Sequence, residues 1–539
     1  MQGAMPNFTI RQAASVGLLA LGLMVPALLN RFPLVFPDSG TYLAIAFGYE
    51  YAIDRSSIYG FFLKPFVMLV PTLSGLWLAV GAQAMLLAAI LWPAARLVAG
   101  SACGAAIALA ATLVVTSLGW HAAQIMPDAF TGATILLAWL AARRDPSAPG
   151  APLLWLAASA ASLMHYTHIP LLLVSASATV FGARLFGLEW RRIAGRVAAA
   201  LVATGFAFAI QIGFNARALD RPTVAPMGSL FLYARLNEDG LITPWLADHC
   251  GRDAPPRLCA LAPSLPRGSQ AFLWGGDYSP ITALIWHPPR DADRWPWIDE
   301  FAIVDRGAIA ARPLDFLANS ASGAARQFVH FEVLDDECPT GCHERTGGIA
   351  ATLIKYRPAL LQALDRSRQV RDSNPKVLLR AITTPVAGFA LFALPSLLIA
   401  AWCRRDRDAF TLVLVIMLAL VTNATLAGAL SDVHDRYQSR VVWLAPFAAL
   451  LLLARWGSHR WIRRKWWSRG GIEPQTFAMP LRKSLAKTAV FRFLVVKKVT
   501  EDGHNEAICY PTVTPLFSPQ FLRRYWRTRA CGVVVVERN

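Results

Sequence analysis

Apolar runs of roughly 18 residues or more, most of them flanked by arginine, recur along the chain, and no other feature limits its fold as much. A helix rises about 1.5 Å per residue, so about 20 apolar residues cross the hydrocarbon core of a bilayer. No water is present there to satisfy backbone N–H and C=O groups, which favours helices as the spanning element. Composition agrees: 55% of the 539 residues are hydrophobic and only 16% are charged, where a soluble chain carries roughly a quarter. The expected fold is an all-α polytopic membrane protein with about ten transmembrane helices.

The positive-inside rule sets the spans at about 13–30, 74–95, 101–119 and 127–142, then a pair within 151–186, then 197–214, 381–402, 409–430 and 441–456. The pair follows from its flanks. Arg143 and Arg144 precede it, and Arg184, Arg191, Arg192 and Arg196 follow, so the number of crossings is even. The outer turn then falls at His165-Tyr166-Thr167-His168. Helices of about 15 residues reach only about 22 Å, so these two need shelter from neighbouring protein or a thinned bilayer. The first run has no small-residue cleavage site before Pro33 and is expected to stay as a span.

Four parts result: a transmembrane module over 1–214 with a first outer loop at 31–72, a small mixed periplasmic domain at 215–377, a second transmembrane module at 378–457, and a basic cytoplasmic tail at 458–539. Both termini are cytoplasmic in this arrangement. No internal repeat is visible, which disfavours an inverted-repeat transporter.

The net charge of +18 is concentrated in the tail, where 16 Lys and Arg stand against 5 Asp and Glu. A basic tail beside a span suits anionic lipid headgroups. It contains no nucleic-acid fold signature, and no nucleic-acid partner is expected. Four of the eight cysteines, Cys250, Cys259, Cys338 and Cys342, fall in the outer segment. An even number at short spacing in an oxidising compartment reads as two disulfides, with local pairing favoured among three possible connectivities. Zinc is the competing reading, since His249 and His343 adjoin cysteines, but no CxxC knuckle occurs.

The same map gathers charged residues at the outer ends of the spans. Asp38 lies in Phe36-Pro-Asp-Ser-Gly-Thr-Tyr42, and Asp54, Arg55 and Tyr59 follow in that loop. Asp128 closes Ile125-Met-Pro-Asp128, and His165 and His168 occupy the next outer turn. Asp432, His434, Asp435, Arg436, Tyr437 and Arg440 stand before the last span. A carboxylate beside apolar surface can have its pKa raised toward the working pH and take a proton from an acceptor hydroxyl. Arginine clamps phosphate. A lipid phosphate would sit at this depth with its tail in the bilayer, so the pattern fits transfer from a polyprenyl-phosphate carrier.

In this arrangement the chain resembles the GT-C class of membrane glycosyltransferases, which includes protein O-mannosyltransferases and lipid A aminoarabinose transferases. The resemblance rests on Asp38 with Tyr42 just after the first span, on Met126-Pro-Asp128-Ala-Phe130 opening the fourth, and on Asp435-Arg436-Tyr437 before the last apolar run. Asp54-Arg-Ser-Ser-Ile-Tyr59 matches a Pro-Pro-Leu-Tyr-like element only in its tyrosine, and His165-Tyr-Thr-His168 stands where many members have Thr-Lys. The likeness covers roughly 10–215 and 380–456. It implies a sugar transferase of a bacterial inner membrane with its active site facing the periplasm. Asp38 would be the general base, giving inversion at the anomeric carbon. Asp128 would orient the acceptor or a divalent metal. Tyr42, Arg55, Tyr59, His165, His168, Arg436, Tyr437 and Arg440 would bind substrate. The partners would be a polyprenyl-phosphate-linked sugar, membrane lipids, and a glycan, lipid or protein acceptor.

Structural readings compete. Asp38 and Asp128 each suit a helix N-cap, and the two histidines suit interfacial hydrogen bonding as well as metal. A transporter or flippase of lipid-linked glycans would place charges midway along its spans. An acyltransferase would want a His–acid motif, for which Asp432-Val-His434-Asp435 is the candidate. In the outer segment, 230–236 and 313–331 read as helices, and basic 354–380 as a surface-lying amphipathic stretch. The tail beyond Arg469 reads as poorly ordered or membrane-bound, with strand-like pieces at 494–496 and 533–536.

Overall fold

The computed structural model describes residues 10–48, 50–333, 348–371, 373–467, 494–499 and 505–510. The chain forms two compact units, Met1–Trp461 and Ile462–Asn539. Within the described residues the first unit is helical throughout. Seven of its helical stretches are long and apolar enough to cross a membrane.

The run opens with α1 (Ile10–Asn30), which stops where Arg31 turns to a φ of 63° ahead of Pro33. Two short helices, α2 (Ser39–Ala46) and α3 (Ile58–Leu69), fill the connection from α1 to α4 (Leu73–Ala99). Next come α5 (Ala102–Val115), α6 (Leu118–Ala122), α7 (Ala129–Arg143), α8 (Ala151–Leu163), α9 (His168–Leu185) and α10 (Trp190–Leu219). Long helices therefore stand at 10–30, 73–99, 168–185 and 190–219, within a few residues of the expected spans at their outer ends. The runs at 102–115, 129–143 and 151–163 are apolar but shorter, so the expected count of about ten is not reached by length alone. The 129–143 helix is buried on nearly every face, which is the protein shelter that a short apolar helix requires.

The second long group is α19 (Lys376–Cys403), α20 (Arg407–Leu430), α21 (Asp435–Val442) and α22 (Leu444–Trp467). The last expected span is thus broken at Trp443. Leu18 on α1, and Phe389 and Phe392 on α19, are exposed, with Phe392 at 88%. Large apolar side chains directed outward along apolar helices are the surface a lipid solvent demands.

Between the two groups lie α11 (Gly228–Glu238), α12 (Ile242–His249), α13 (Pro256–Leu261), α14 (Ser269–Trp274), α15 (Trp295–Ala311), α16 (Pro313–Val329), α17 (Gly348–Tyr356) and α18 (Leu361–Asp365). The expected mixed domain is all-helical in its described residues. Its short helices, set apart by Pro and Gly, mimic the turn spacing of strands. It has its own core around Tyr233, Phe272, Phe301 and Ile298. Cys250 and Cys259 are bonded there, so they are not zinc ligands; Cys338 and Cys342 lie outside the described residues. The 354–380 stretch is not one surface helix: Arg357-Pro358 ends α17, and α19 starts at Lys376. Helix α16 crosses α20 with Gly323 against Gly428, where a Cβ on either would lie 2.1–2.3 Å from the other's carbonyl oxygen.

Among the described residues of this domain, one buried carboxyl has neither oxygen bonded. Asp305 is 3% exposed, and neither oxygen is bonded. Burial pushes it up to about 9, with Arg306 offsetting only part of the effect. An unfolded aspartate titrates near 4, so the folded state holds an extra proton between about pH 4 and 9, and stability falls as pH rises through that window. Asp305→Asn should remove this dependence. Melting at pH 5 and pH 8 should differ by the order of a few kcal/mol in the wild type and little in the variant; equal slopes would contradict the assignment.

In the second unit, β1 (Leu494–Val499) pairs antiparallel with β2 (Asn505–Tyr510), so the strand-like run at 494–496 belongs to a hairpin. The 533–536 run lies outside the described residues.

Candidate functional site

Residues far apart in sequence are pinned together first by backbone contacts. Leu34 N–H donates to Ala123 O at 3.0 Å, and Ile125 N–H to Leu34 O at 2.8 Å. Ser39 Oγ donates to Ile125 O at 2.9 Å. Gln369 holds the same extended segment from the other side, accepting from Val35 N–H through Oε1 and donating to Val35 O through Nε2. This lacing brings the Asp38 turn beside the Asp128 turn.

Both carboxylates stand at helix N-caps, α2 for Asp38 and α7 for Asp128, yet neither caps. Their backbones are already helical, and neither side chain accepts an amide hydrogen bond from its helix. They turn to arginine instead. Arg436 bridges them, at 3.1 Å to Asp38 and 2.7 Å to Asp128. Arg440 reaches the other oxygen of Asp128 at 3.0 Å, and Arg55 holds Asp38 at 2.7 Å and Asp54 at 2.5 Å. A buried charge pair outweighs a capping bond when leaving the arginine unpaired would cost several kcal/mol.

The two ends of this network differ. The Asp128 and Arg440 side chains are sealed, at 0% and 1% exposure, whereas Asp38 is 30% exposed. Arg436 lies over the Phe36 ring at 3.8 Å, and Arg55 beside the Tyr42 ring at 5.8 Å. So the network has a closed floor at Asp128–Arg440 and an open lip at Asp38. Burial raises the Asp38 carboxyl, but Arg55 and Arg436 outweigh it and hold it below the usual carboxylate range. The expected upward shift is therefore reversed in this resting arrangement.

The remaining expected site residues divide into two sets. Tyr59 is fully buried, with its hydroxyl donating to Gln83 Oε1 at 2.9 Å, and it packs edge-on against Tyr42 at 5.1 Å. In this state it supports Tyr42 from below and offers nothing to a ligand. His168 is likewise enclosed, bonded to Thr131 Oγ1 at 2.8 Å and to Ala161 O. His165 is part-exposed, and Tyr437 packs near Arg440 at 5.6 Å.

Sequence reasoning did not single out three contributors. Asn423 accepts from Arg440 at 3.1 Å and donates to Tyr437 O at 2.6 Å. Its signal was present, an amide inside the apolar run of α20. Gln83 donates to Ala122 O and Gln124 O, and His121 meets Ser439 Oγ at 3.1 Å. Gln270 on α14 donates to Asp432 at 2.9 Å, and Gln327 on α16 donates to His434 O, tying α14 and α16 to the 431–434 loop. There His434 and Gln270 are bonded to Asp432, and its carboxyl is held low despite burial. That His–acid motif is thus engaged in holding α14 and α16.

Among the described residues no group of three or more His, Cys, Asp or Glu side chains could hold a metal ion. No protein-family model, curated protein or solved structure matches the chain.

Proposed function

We propose that the chain is a membrane glycosyltransferase that moves a sugar from a polyprenyl-phosphate-linked donor to a glycan, lipid or protein acceptor. The observation that carries this reading is the Arg436 bridge between Asp38 and Asp128, with Arg55 and Arg440 at its two ends. Three arginines are balanced by three aspartates, so an arriving phosphate can compete with a carboxylate for a guanidinium already in place. Asp38, at the open lip, is the carboxylate that gives way.

The acceptor hydroxyl oxygen attacks the anomeric carbon, and the bond from that carbon to the phosphate oxygen breaks. The polyprenyl phosphate leaves with the electron pair, its negative charge held by Arg436 and Arg55. Asp38 receives the hydroxyl proton. Once the donor phosphate draws the arginines away, Asp38 loses the partners that depress it, and its basicity rises where it is needed. Asp128, fixed by Arg440, holds Arg436 in reach. We place the site at the periplasmic face of a bacterial inner membrane, with both termini cytoplasmic, on the arginine distribution among the loops.

A flippase would need charge along its path. In the long apolar helices, Asp, Glu, Lys and Arg stand only within about two turns of an end. That favours chemistry at a rim over passage through the core. Cells lacking the chain should lose one sugar from an envelope lipid, glycan or protein and accumulate the matching lipid-linked donor. Unchanged glycans and lipid-linked sugars would count against the proposal.

A further inference from the structure

The turn between α8 and α9 contains a histidine whose tautomer is dictated by its neighbours. Arg440 can only donate, and its Nη2 reaches Thr167 Oγ1 at 3.2 Å. The Thr167 hydroxyl proton is therefore free to point onward to His165 Nδ1, 2.9 Å away. The Thr167 backbone N–H, which also can only donate, points at the same Nδ1 at 3.3 Å. With both groups donating to Nδ1, that nitrogen has no proton of its own. The ring is neutral and carries its hydrogen on Nε2. Protonating Nδ1 would break both bonds and set a second cation near Arg440. Burial, then Arg440 and His168, hold the imidazole well below its ordinary value, in agreement with the geometry.

Nε2–H has no protein partner among the described residues, and it is not among the sealed, unsatisfied polar atoms. By contrast, the neighbouring His168 has both nitrogens engaged, to Thr131 and Ala161. The relay thus ends in a fixed, uncharged donor beside the Asp128–Arg440 floor. A phosphate is better served by Arg436 and Arg55, which lie at the Asp38 lip. A neutral N–H suits a neutral oxygen.

We propose that His165 is a specificity-determining residue whose Nε2–H donates to a hydroxyl of the transferred sugar, with Thr167 and Arg440 as its positioning partners. This rests on the glycosyltransferase reading above.

The test uses full-length protein in lipid nanodiscs and two kinds of probe: undecaprenyl phosphate, and the same lipid bearing mannose, glucose or 4-amino-arabinose. Binding is measured for the wild type, His165→Leu and His165→Gln. Loss of one neutral hydrogen bond corresponds to roughly a tenfold loss of affinity. His165→Leu should therefore bind the best sugar-bearing probe about tenfold more weakly, with bare undecaprenyl phosphate unchanged. His165→Gln, which keeps an N–H donor, should recover part of the difference. Equal weakening of both probes would mean that His165 serves the phosphate or merely the turn, and overturns the inference. So would sugar-bearing affinity unchanged in His165→Leu. A wild type that binds neither probe would remove the donor reading and this inference with it.

Discussion

Asp38→Asn should lower sugar transfer by about two to four orders of magnitude, the range spanned by loss of a general base, while the protein stays folded. The network explains why the two effects separate. Arg55 keeps Asp54 at 2.5 Å, and Arg436 keeps Asp128 at 2.7 Å, so neither guanidinium is stranded when the Asp38 charge is removed. Asparagine also retains an oxygen that can accept from an arginine. Melting temperature and membrane yield should match the wild type, and donor binding should be equal or tighter, since one competing carboxylate is gone. Transfer at the wild-type rate would remove Asp38 from the chemistry. Loss of fold would mean that its pairing is structural.

Asp128→Ala should act the other way, on stability first. Its carboxylate is sealed and, among the described residues, is the only one on Arg440, whose side chain is 1% exposed. Deleting it leaves Arg440 hydrogen-bonded among the described residues to Asn423 and Thr167, both neutral. Breaking a buried pair from one side costs about 3–5 kcal/mol, because the remaining charge is left uncompensated. Replacing Asp128 and Arg440 together, with Asn and Gln, should be milder than Asp128→Ala. Thermal unfolding of the purified variants decides this. A single variant that melts with the wild type would show that the pair stabilises nothing.

The contrast between these aspartates marks how far the sequence could be read. Both follow proline and precede an apolar run, so a helix cap competed at each, against a base at Asp38 and an orienting carboxylate at Asp128. Neither caps, because arginines claim them; Arg55 is local to Asp38, but Arg436 and Arg440 lie about 300 or more positions from the aspartates they hold. That pairing depends on backbone lacing between Leu34 and Ala123–Ile125, which no local pattern encodes.

Elsewhere the reading follows physical strength of signal. Runs of 18 or more apolar residues became α1, α4, α10, α19 and α20 near their expected positions. The break at Trp443 was invisible, because the apolar pattern continues through it. The ring lies against Gly132, where even a Cβ would come within 2.2 Å, a packing demand and not a pattern. Between the two groups the sequence singled out helices at 230–236 and 313–331, which are α11 and α16. Shorter ones such as α13 and α14, six residues each, span less than two turns and carry no helical period to read.

The central claim is that the Asp38–Arg436–Asp128 network acts on a lipid-borne sugar phosphate by breaking its glycosyl bond. Full-length protein in sealed proteoliposomes, given undecaprenyl-phosphate-linked sugars and an envelope-lipid acceptor, tests it most directly. The account expects free undecaprenyl phosphate and glycosylated acceptor to appear together with the wild type, and neither with Asp38→Asn. Donor that crosses the bilayer intact, or release at equal rate by the variant, would contradict it.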